Sequence, residues 1–293
     1  MSYRFRLKET VPSGIRRIGR EQINAVLQVL SQGDDINQSV HLARKRIKCI
    51  RSLLHLIRPG LEVSVFKAED HRYRDIARHL SGARDAQVLL ETLTTLEARS
   101  KIADTIILRD WLHDQHKEAE RTLNSKKVGE VQDALLEGKK RFSKMVPKQI
   151  DFRDLAEGAK ETYKCGRAGF LKAMRTQNGD HFHDWRKEAQ RHWRHMQLLR
   201  FCWPGMIDMR ARYVHELSQL LGDDHDLDVF GLMLEKNRAE FNKTFDHEAL
   251  LYSTRKTQKS LRKLSTPHAQ RLYAQRPKDF QQGLMTFRNA SFE

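Results

Sequence analysis

The chain has 293 residues, of which 39% are hydrophobic and 31% are charged, so it can bury a core beneath a heavily charged surface. Its 54 lysines and arginines against 38 acids give a formal charge of +16, which favours a polyanionic partner: nucleic acid, polyphosphate or an anionic membrane. No apolar run is long enough to cross a bilayer, and the basic N-terminus lacks the apolar centre of a signal peptide. Three scattered cysteines, Cys49, Cys165 and Cys202, indicate reduced thiols in a cytoplasmic protein.

Helical periodicity runs through the first half of the sequence. It predicts helices over 15–30, 40–57, 101–125 and 128–145. Asn37 or Ser39 is the expected N-cap of the second of these helices. Between them, the basic segment 71–93 turns at Gly82 into a further helix. Val, Ile and Thr nowhere alternate with polar residues as they would in strands, so the predicted class is all-α.

The helix over 40–57 has one apolar face and one cationic or protonatable face. At about 100° per residue, the cationic groups fall within an arc of roughly 80°. They are His41, Arg44, Lys48, Arg51 and His55, with Lys45 beside them. This segment contains no acid, although exposed helices usually interleave Glu with Lys. Its like charges must therefore be balanced by an external anion or by acids from another helix.

The second half of the sequence repeats two motifs of the first. Residues 183–187 resemble 41–45 after about 142 residues, and 220–230 resemble 79–89, so that Asp226 matches Asp85. On the second basic helix the cationic residues again share one face: His183, Arg186, Lys187 and Arg194. A repeat of this length predicts a duplicated helical bundle, with halves over 1–148 and 149–293. The two basic helices would then face each other across a groove or channel.

The duplicated His-x-x-Arg-Lys helix, the Arg-Asp turn before a Val-Leu helix and the tail over 271–287 resemble the CHAD family, the conserved histidine α-helical domain. The resemblance implies two bundles related by a pseudo-twofold axis, a basic central surface and non-catalytic binding of inorganic polyphosphate. By matching position, the implied ligands are His41, Arg44, Lys45, Lys48, Arg51, His183, Arg186 and Lys187, followed by Arg74, Arg78, Arg84, Lys164 and Arg167. Arg16, Arg20 and Arg194, on neighbouring basic faces, complete the candidate set.

The sequence departs from the family pattern at two positions of the second half. Gln190 stands where the second copy often has Lys, and His225 replaces the Arg of the Arg-Asp pair. Some relatives are fused to a CYTH triphosphatase domain, but this sequence has no Glu-x-Glu-x-Lys motif, so that activity is not expected. No cofactor, metal or membrane is expected as a partner, and nucleic acid only as a non-specific one. The predicted location is the cytoplasm, including polyphosphate granules.

Two other functions remain open. The His-Asp dipeptides at 113–114, 183–184 and 225–226 could belong to a metal-dependent HD-type phosphohydrolase, although the cations around His183 would repel a metal. The net charge also permits RNA or DNA binding, but the basic faces carry no aromatic ladder. The acids of 223–228 are expected to form a cluster at a helix N-terminus rather than a metal site. Because Arg and Lys do not titrate between pH 6 and 8, histidine is the expected source of any pH dependence.

Overall fold

The computed structural model describes residues 3–32, 35–80, 82–99, 105–122, 125–241 and 245–291. Over these residues the chain forms helices and no strand, which confirms the all-α class. In chain order the helices are α1 (Val11–Gln32), α2 (Ile36–Ile57), α3 (Val63–His79), α4 (Gly82–Arg99), α5 (Ile106–Thr122), α6 (Ser125–Met145), α7 (Phe152–Thr176), α8 (Gly179–Leu198), α9 (Pro204–Lys236), α10 (His247–Leu272) and α11 (Pro277–Ala290). Two 3-10 turns, Arg58–Gly60 and Leu199–Cys202, follow α2 and α8.

Helix α2 begins earlier than its hydrophobic period indicates. Its N-cap is Asp35, whose carboxylate accepts hydrogen bonds from the backbone N–H groups of Asn37 and Gln38, so the prediction of Asn37 or Ser39 as the cap was wrong. A carboxylate at this position both satisfies free N–H groups and interacts favourably with the helix dipole. Ser39 is instead buried within the first turns. The predicted apolar face of α2, from Val40 to Ile57, is buried.

The larger hydrophobic core lies between α2 and the helices around it. It contains side chains of α1, α3, α6, α7, α8, the first half of α9, the end of α10 and α11. Helices α2 and α7 cross so closely that a Cβ on Gly158 would lie 2.0 Å from the carbonyl oxygen of Leu56. Only glycine allows this approach, which fixes α2 against the middle of the fold. The cationic face of α2 is thereby held opposite to a rigid apolar contact.

A second, smaller core joins α4 and α5 to the second half of α9 and the first half of α10. Leu93 and Leu108 pack there with Phe230 and Leu250, all fully buried. Both cores therefore combine residues from before and after residue 148. The division of the chain into two halves at that position remains a prediction about its ancestry and symmetry.

Helix α9 differs from the expected pattern, because it continues without a break through Gly222. The acids of 223–228 therefore lie in the middle of a helix, and the prediction that they form an N-terminal cluster was wrong. In the first copy of the motif, one helix ends at His79 and the next begins at Gly82. In the second copy, Leu217, Leu221 and Leu227 continue the buried face of α9 on both sides of Gly222. This continuous apolar stripe explains why the helix persists through Gly222.

The remaining general predictions concern the thiols and the membrane. Cys49, Cys165 and Cys202 are free cysteines, and the first and last of them are buried. Among the described helices, none is long and apolar enough to cross a bilayer.

Candidate functional site

Four cations from two helices form the centre of the site, which we call the cationic cluster: Arg44 and Lys48 of α2, and Arg186 and Arg194 of α8. Burial and the charges of Arg186, Arg194 and Arg44 together lower the pKa of Lys48 from 10.5 to about 8, and Asp226 opposes this shift only in part. The side chain of Lys48 is nevertheless exposed to solvent. Solvent therefore reaches this side chain, and the positive charge around it is only partly compensated by acids.

Two histidines lie in direct contact beside the cationic cluster. The Nδ1 atoms of His183 and His225 are 3.1 Å apart, and their ring centroids are separated by 4.1 Å. At this distance one Nδ1 must carry a proton and the other must accept it, so the contact requires at least one ring to be neutral. Burial lowers the pKa of both rings. The pKa of His225 falls to about 3, because the charges of Arg186, His183, Lys187 and Lys48 lower it as well. Two neutral rings are thus surrounded by cations.

Acids from other helices balance part of the charge on α2 and α8. The guanidinium of Arg44 lies 3.4 Å from Asp85 of α4 and donates to the carbonyl of Leu80. Arg186 occupies the corresponding position in α8, where the charge of Asp226 in α9 favours its protonated form. The two Arg–Asp associations thus follow the sequence repeat. The Nε of Arg186 is buried and has no hydrogen-bond partner in the part of the chain that the structure describes.

Arg51 and His55, further along α2, are balanced by Asp70 of α3. Arg51 donates two hydrogen bonds to its carboxylate, at 2.9 and 3.0 Å. The Nε2 of His55 lies 3.4 Å from the same group. Although burial raises the pKa of Asp70, His55 and Arg51 hold it well below its usual range. Arg51 is therefore already neutralised, which makes it a weaker candidate for an external anion than Lys48.

Several other candidates lie near the cluster or on exposed faces. On α2, His41 and Lys45 are exposed, and Lys45 acts electrostatically on His215 of α9. Lys187 of α8 is exposed and lies 3.0 Å from Asp184. Arg74 and Arg78 are exposed on α3, where Arg78 lies 3.5 Å from Asp75. The side chain of Arg84 falls outside the described residues.

The structure places another group of candidates away from the cluster. Arg16 donates to the carbonyls of Ser143 and Val146 at the end of α6, and it lines a cavity of about 440 Å³ with Arg20. On α7, Lys164 is exposed, whereas Arg167 is half-buried and acts electrostatically on Tyr163. These contacts do not join the four residues to Lys48.

The structure also shows an aromatic contact that no sequence motif predicted. The ring of Trp193 is only partly buried and stacks on His215 at a centroid distance of 4.0 Å. Arg194 lies 5.0 Å from the same ring. His215 belongs to neither repeated motif, so no pattern marked it. Among the described residues, no three His, Cys, Asp or Glu side chains converge as they would around a metal ion.

The fold and the site together define a class of protein: an α-helical domain with two His-x-x-Arg-Lys helices, each associated with an Arg–Asp pair. The sequence profile described as "CHAD domain" matches residues 17–235, three quarters of the chain. The chain belongs to the CHAD domain family. Its fold is similar to the crystal structure of the CHAD domain from the plant Ricinus communis, with a TM-score of 0.59 and 17% identity over 97% of this chain and 93% of that one. No curated protein matches the sequence.

Proposed function

We propose that this protein binds inorganic polyphosphate at the cationic cluster without changing it chemically. The observation that carries the proposal is the convergence of Arg44 and Lys48 of α2 with Arg186 and Arg194 of α8, which together with burial lowers the pKa of Lys48 to about 8. Like charges brought together from two helices that are far apart in the sequence repel each other in the empty protein. A polyanion relieves that repulsion, whereas a neutral ligand would not.

The types of side chain in the cluster suit a chain of phosphates. Arginine offers a planar fork of donors to phosphate oxygens, and lysine offers a compact charge on a flexible stem. Many such contacts along a linear polyanion release counterions and bind independently of any base sequence. Specific binding of a nucleic acid would also need aromatic rings for its bases, and the ring of Trp193, beside Arg194 of the cluster, is already stacked on His215. This favours polyphosphate over RNA or DNA as the specific ligand.

The proposal extends to symmetry and location. The correspondence between Arg44–Asp85 and Arg186–Asp226 supports two halves related by a pseudo-twofold axis, with the basic faces of α2 and α8 opposed. The free thiols are compatible with a reducing compartment, and we propose the cytoplasm, with association with polyphosphate granules.

The test compares Lys48→Gln/Arg186→Gln with a control of equal charge, Lys140→Gln/Lys278→Gln, whose lysines are exposed on α6 and α11. Affinity for polyphosphate is measured as a function of salt concentration. Each lost phosphate contact should lower the slope of log K against log salt by about 0.7 to 0.9. We therefore expect the site variant to lose about 1.4 or more of that slope and to bind more weakly, while the control stays close to wild type.

Three results would count against the proposal. Equal losses in both variants would indicate non-specific attraction to the net charge. Binding that does not depend on salt would contradict the counterion mechanism. Complete displacement of polyphosphate by RNA at equal charge concentration would favour a nucleic-acid-binding protein. The melting temperature of each variant serves as the control for folding.

A further inference from the structure

Helix α10, which lies beyond the matched residues 17–235, has a second cationic face. Arg255, Lys259 and Lys263 follow one another at intervals of four residues, so they lie along one side of the helix. Together with Arg262 they line a cavity of about 450 Å³ between α10 and the C-terminal end of α7. Among the residues that the structure describes, no acid lines this cavity.

In the described part of the chain, the two arginines of this α10 cavity are paired with acids, whereas the two lysines are not. Arg262 donates to both carboxylate oxygens of the buried Asp224, at 2.7 and 3.4 Å, and to the carbonyl of Gln177. Arg255 is paired with Glu235 at 2.8 Å. Lys259 and Lys263 are exposed, and neither has an ion-pair partner among the residues that the structure describes. The cavity therefore presents positioned guanidinium groups and two uncompensated, mobile ammonium groups.

Two contacts of Arg262 relate the α10 cavity to the sequence neighbours of the histidine pair. The guanidinium carbon of Arg262 lies 4.0 Å from the ring centroid of Phe182, the residue before His183. Asp224, the acid that holds Arg262, is the residue before His225 in α9. Arg262 thus contacts the residues that precede His183 and His225 in the sequence.

We propose that the α10 cavity is a second phosphate-binding subsite, which takes a continuing segment of the same polyphosphate chain that occupies the cationic cluster. This inference rests on the proposed function. Short chains occupy only one subsite, whereas long chains span both. Because the second contact is then intramolecular, it increases the affinity for long chains through effective concentration without a new molecule binding.

The experiment measures the affinity of two ligands, tripolyphosphate and long-chain polyphosphate of narrow length distribution, for three proteins. These are the wild type, Lys259→Gln/Lys263→Gln, and the control Lys140→Gln/Lys278→Gln. In the α10 variant we expect long chains to bind at least about tenfold more weakly, and the salt slope to fall by about 1.4. Tripolyphosphate should bind to all three proteins equally, through the cationic cluster.

A second measurement uses the wild-type protein alone. Acetylation of lysine amines, followed by mass spectrometry, reports which ammonium groups a ligand covers. Long chains should protect Lys48, Lys259 and Lys263 together, and tripolyphosphate should protect Lys48 without the other two.

The outcomes separate this inference from the proposed function. If long chains bind to the α10 variant as to wild type, or protect Lys48 alone, the second subsite is wrong and the cationic cluster stands. Equal weakening in the α10 variant and the control also overturns it, since net charge then explains the loss. Protection of Lys259 and Lys263 by RNA but not by long polyphosphate would assign the face to a nucleic acid instead. If no polyphosphate protects Lys48, the proposed function itself fails.

Discussion

Binding of polyphosphate should be coupled to the uptake of a proton by Lys48. In the empty protein burial and neighbouring arginines lower the pKa of this lysine from 10.5 to about 8, which corrects the expectation that histidine alone titrates near this pH. A bound anion within about 4–6 Å favours the charged form and raises the pKa again. The sign follows directly: the bound state holds more protons than the free state, so affinity falls as the pH rises through 8.

The size of the effect can be estimated from the two pKa values. If the anion restores the ordinary value, about 0.1 proton is taken up at pH 7, about 0.5 at pH 8 and about 0.9 at pH 9. Between pH 7 and 9 the affinity then falls by up to about tenfold. Because the side chain of Lys48 is exposed, solvent screens its neighbours and this figure is an upper bound.

The assay is calorimetric titration at these three pH values in buffers of different ionisation enthalpy. The informative variant is Lys48→Arg, which keeps the charge but cannot lose its proton in this range. We expect the variant to bind with no increase in proton uptake between pH 7 and 9. If uptake at pH 9 is the same in both proteins, Lys48 is not the group that titrates, and its environment is not the one argued from the structure.

Two further predictions concern the packing that holds the site together. His195 is fully buried, with Nε2 2.9 Å from the carbonyl oxygen of Ser52, and burial lowers its pKa to about 3. Below about pH 6.5 the unfolded state therefore binds more protons than the folded state, so the free energy of unfolding falls as the pH is lowered. The free energy of unfolding is measured in urea at pH 7.5 and 5.5, and His195→Gln should reduce the difference between the two values by about 1.4 kcal/mol. The same difference in wild type and variant would show that His195 does not stay neutral in the folded state. Gly158→Ala should destabilise by about 1–3 kcal/mol or more, because its Cβ would lie 2.0 Å from the Leu56 carbonyl, whereas Gly129→Ala, with nothing within 4 Å, should be neutral or stabilising by up to about 1 kcal/mol. Equal effects of the two alanines on the denaturation midpoint would show that the helix crossing is not tight.

The amphipathic faces of α2 were predictable because helical periodicity is a local property of the sequence. Its apolar residues from Val40 to Ile57 are buried, and the absence of acids correctly pointed to balancing charges from outside the helix. Which acids supply that balance was not predictable. Asp70 and Asp85 belong to other helices, and their association with Arg51 and Arg44 depends on how α3 and α4 pack.

The second motif shows how tertiary context overrides a local signal. Gly222 and the acids after it resemble the break at Gly82, yet buried leucines on either side keep α9 continuous. The contact between His183 and His225 follows from this, since an uninterrupted α9 carries His225 past the first turns of α8. The spacing of the lysines of α10 is evident in the sequence, but by itself it indicates only a solvated helix face. Their position in a cavity with Arg262, whose guanidinium lies against the ring of Phe182, depends on tertiary packing.

On the proposed function, the acids and the lysine of the cluster have different roles. Asp85 and Asp226 lower the net charge around Arg44 and Arg186, and the contact of Asp85 with Arg44 also restricts that guanidinium, which reduces the entropy that a ligand must remove on binding. Lys48 has a stronger set of cations than acids around it, so it is the group whose charge is most incomplete near pH 8. The arginines therefore supply position before the ligand arrives, and Lys48 supplies charge in response to it. A site with only paired arginines would bind weakly, and one with only lysines would not define a path for the chain.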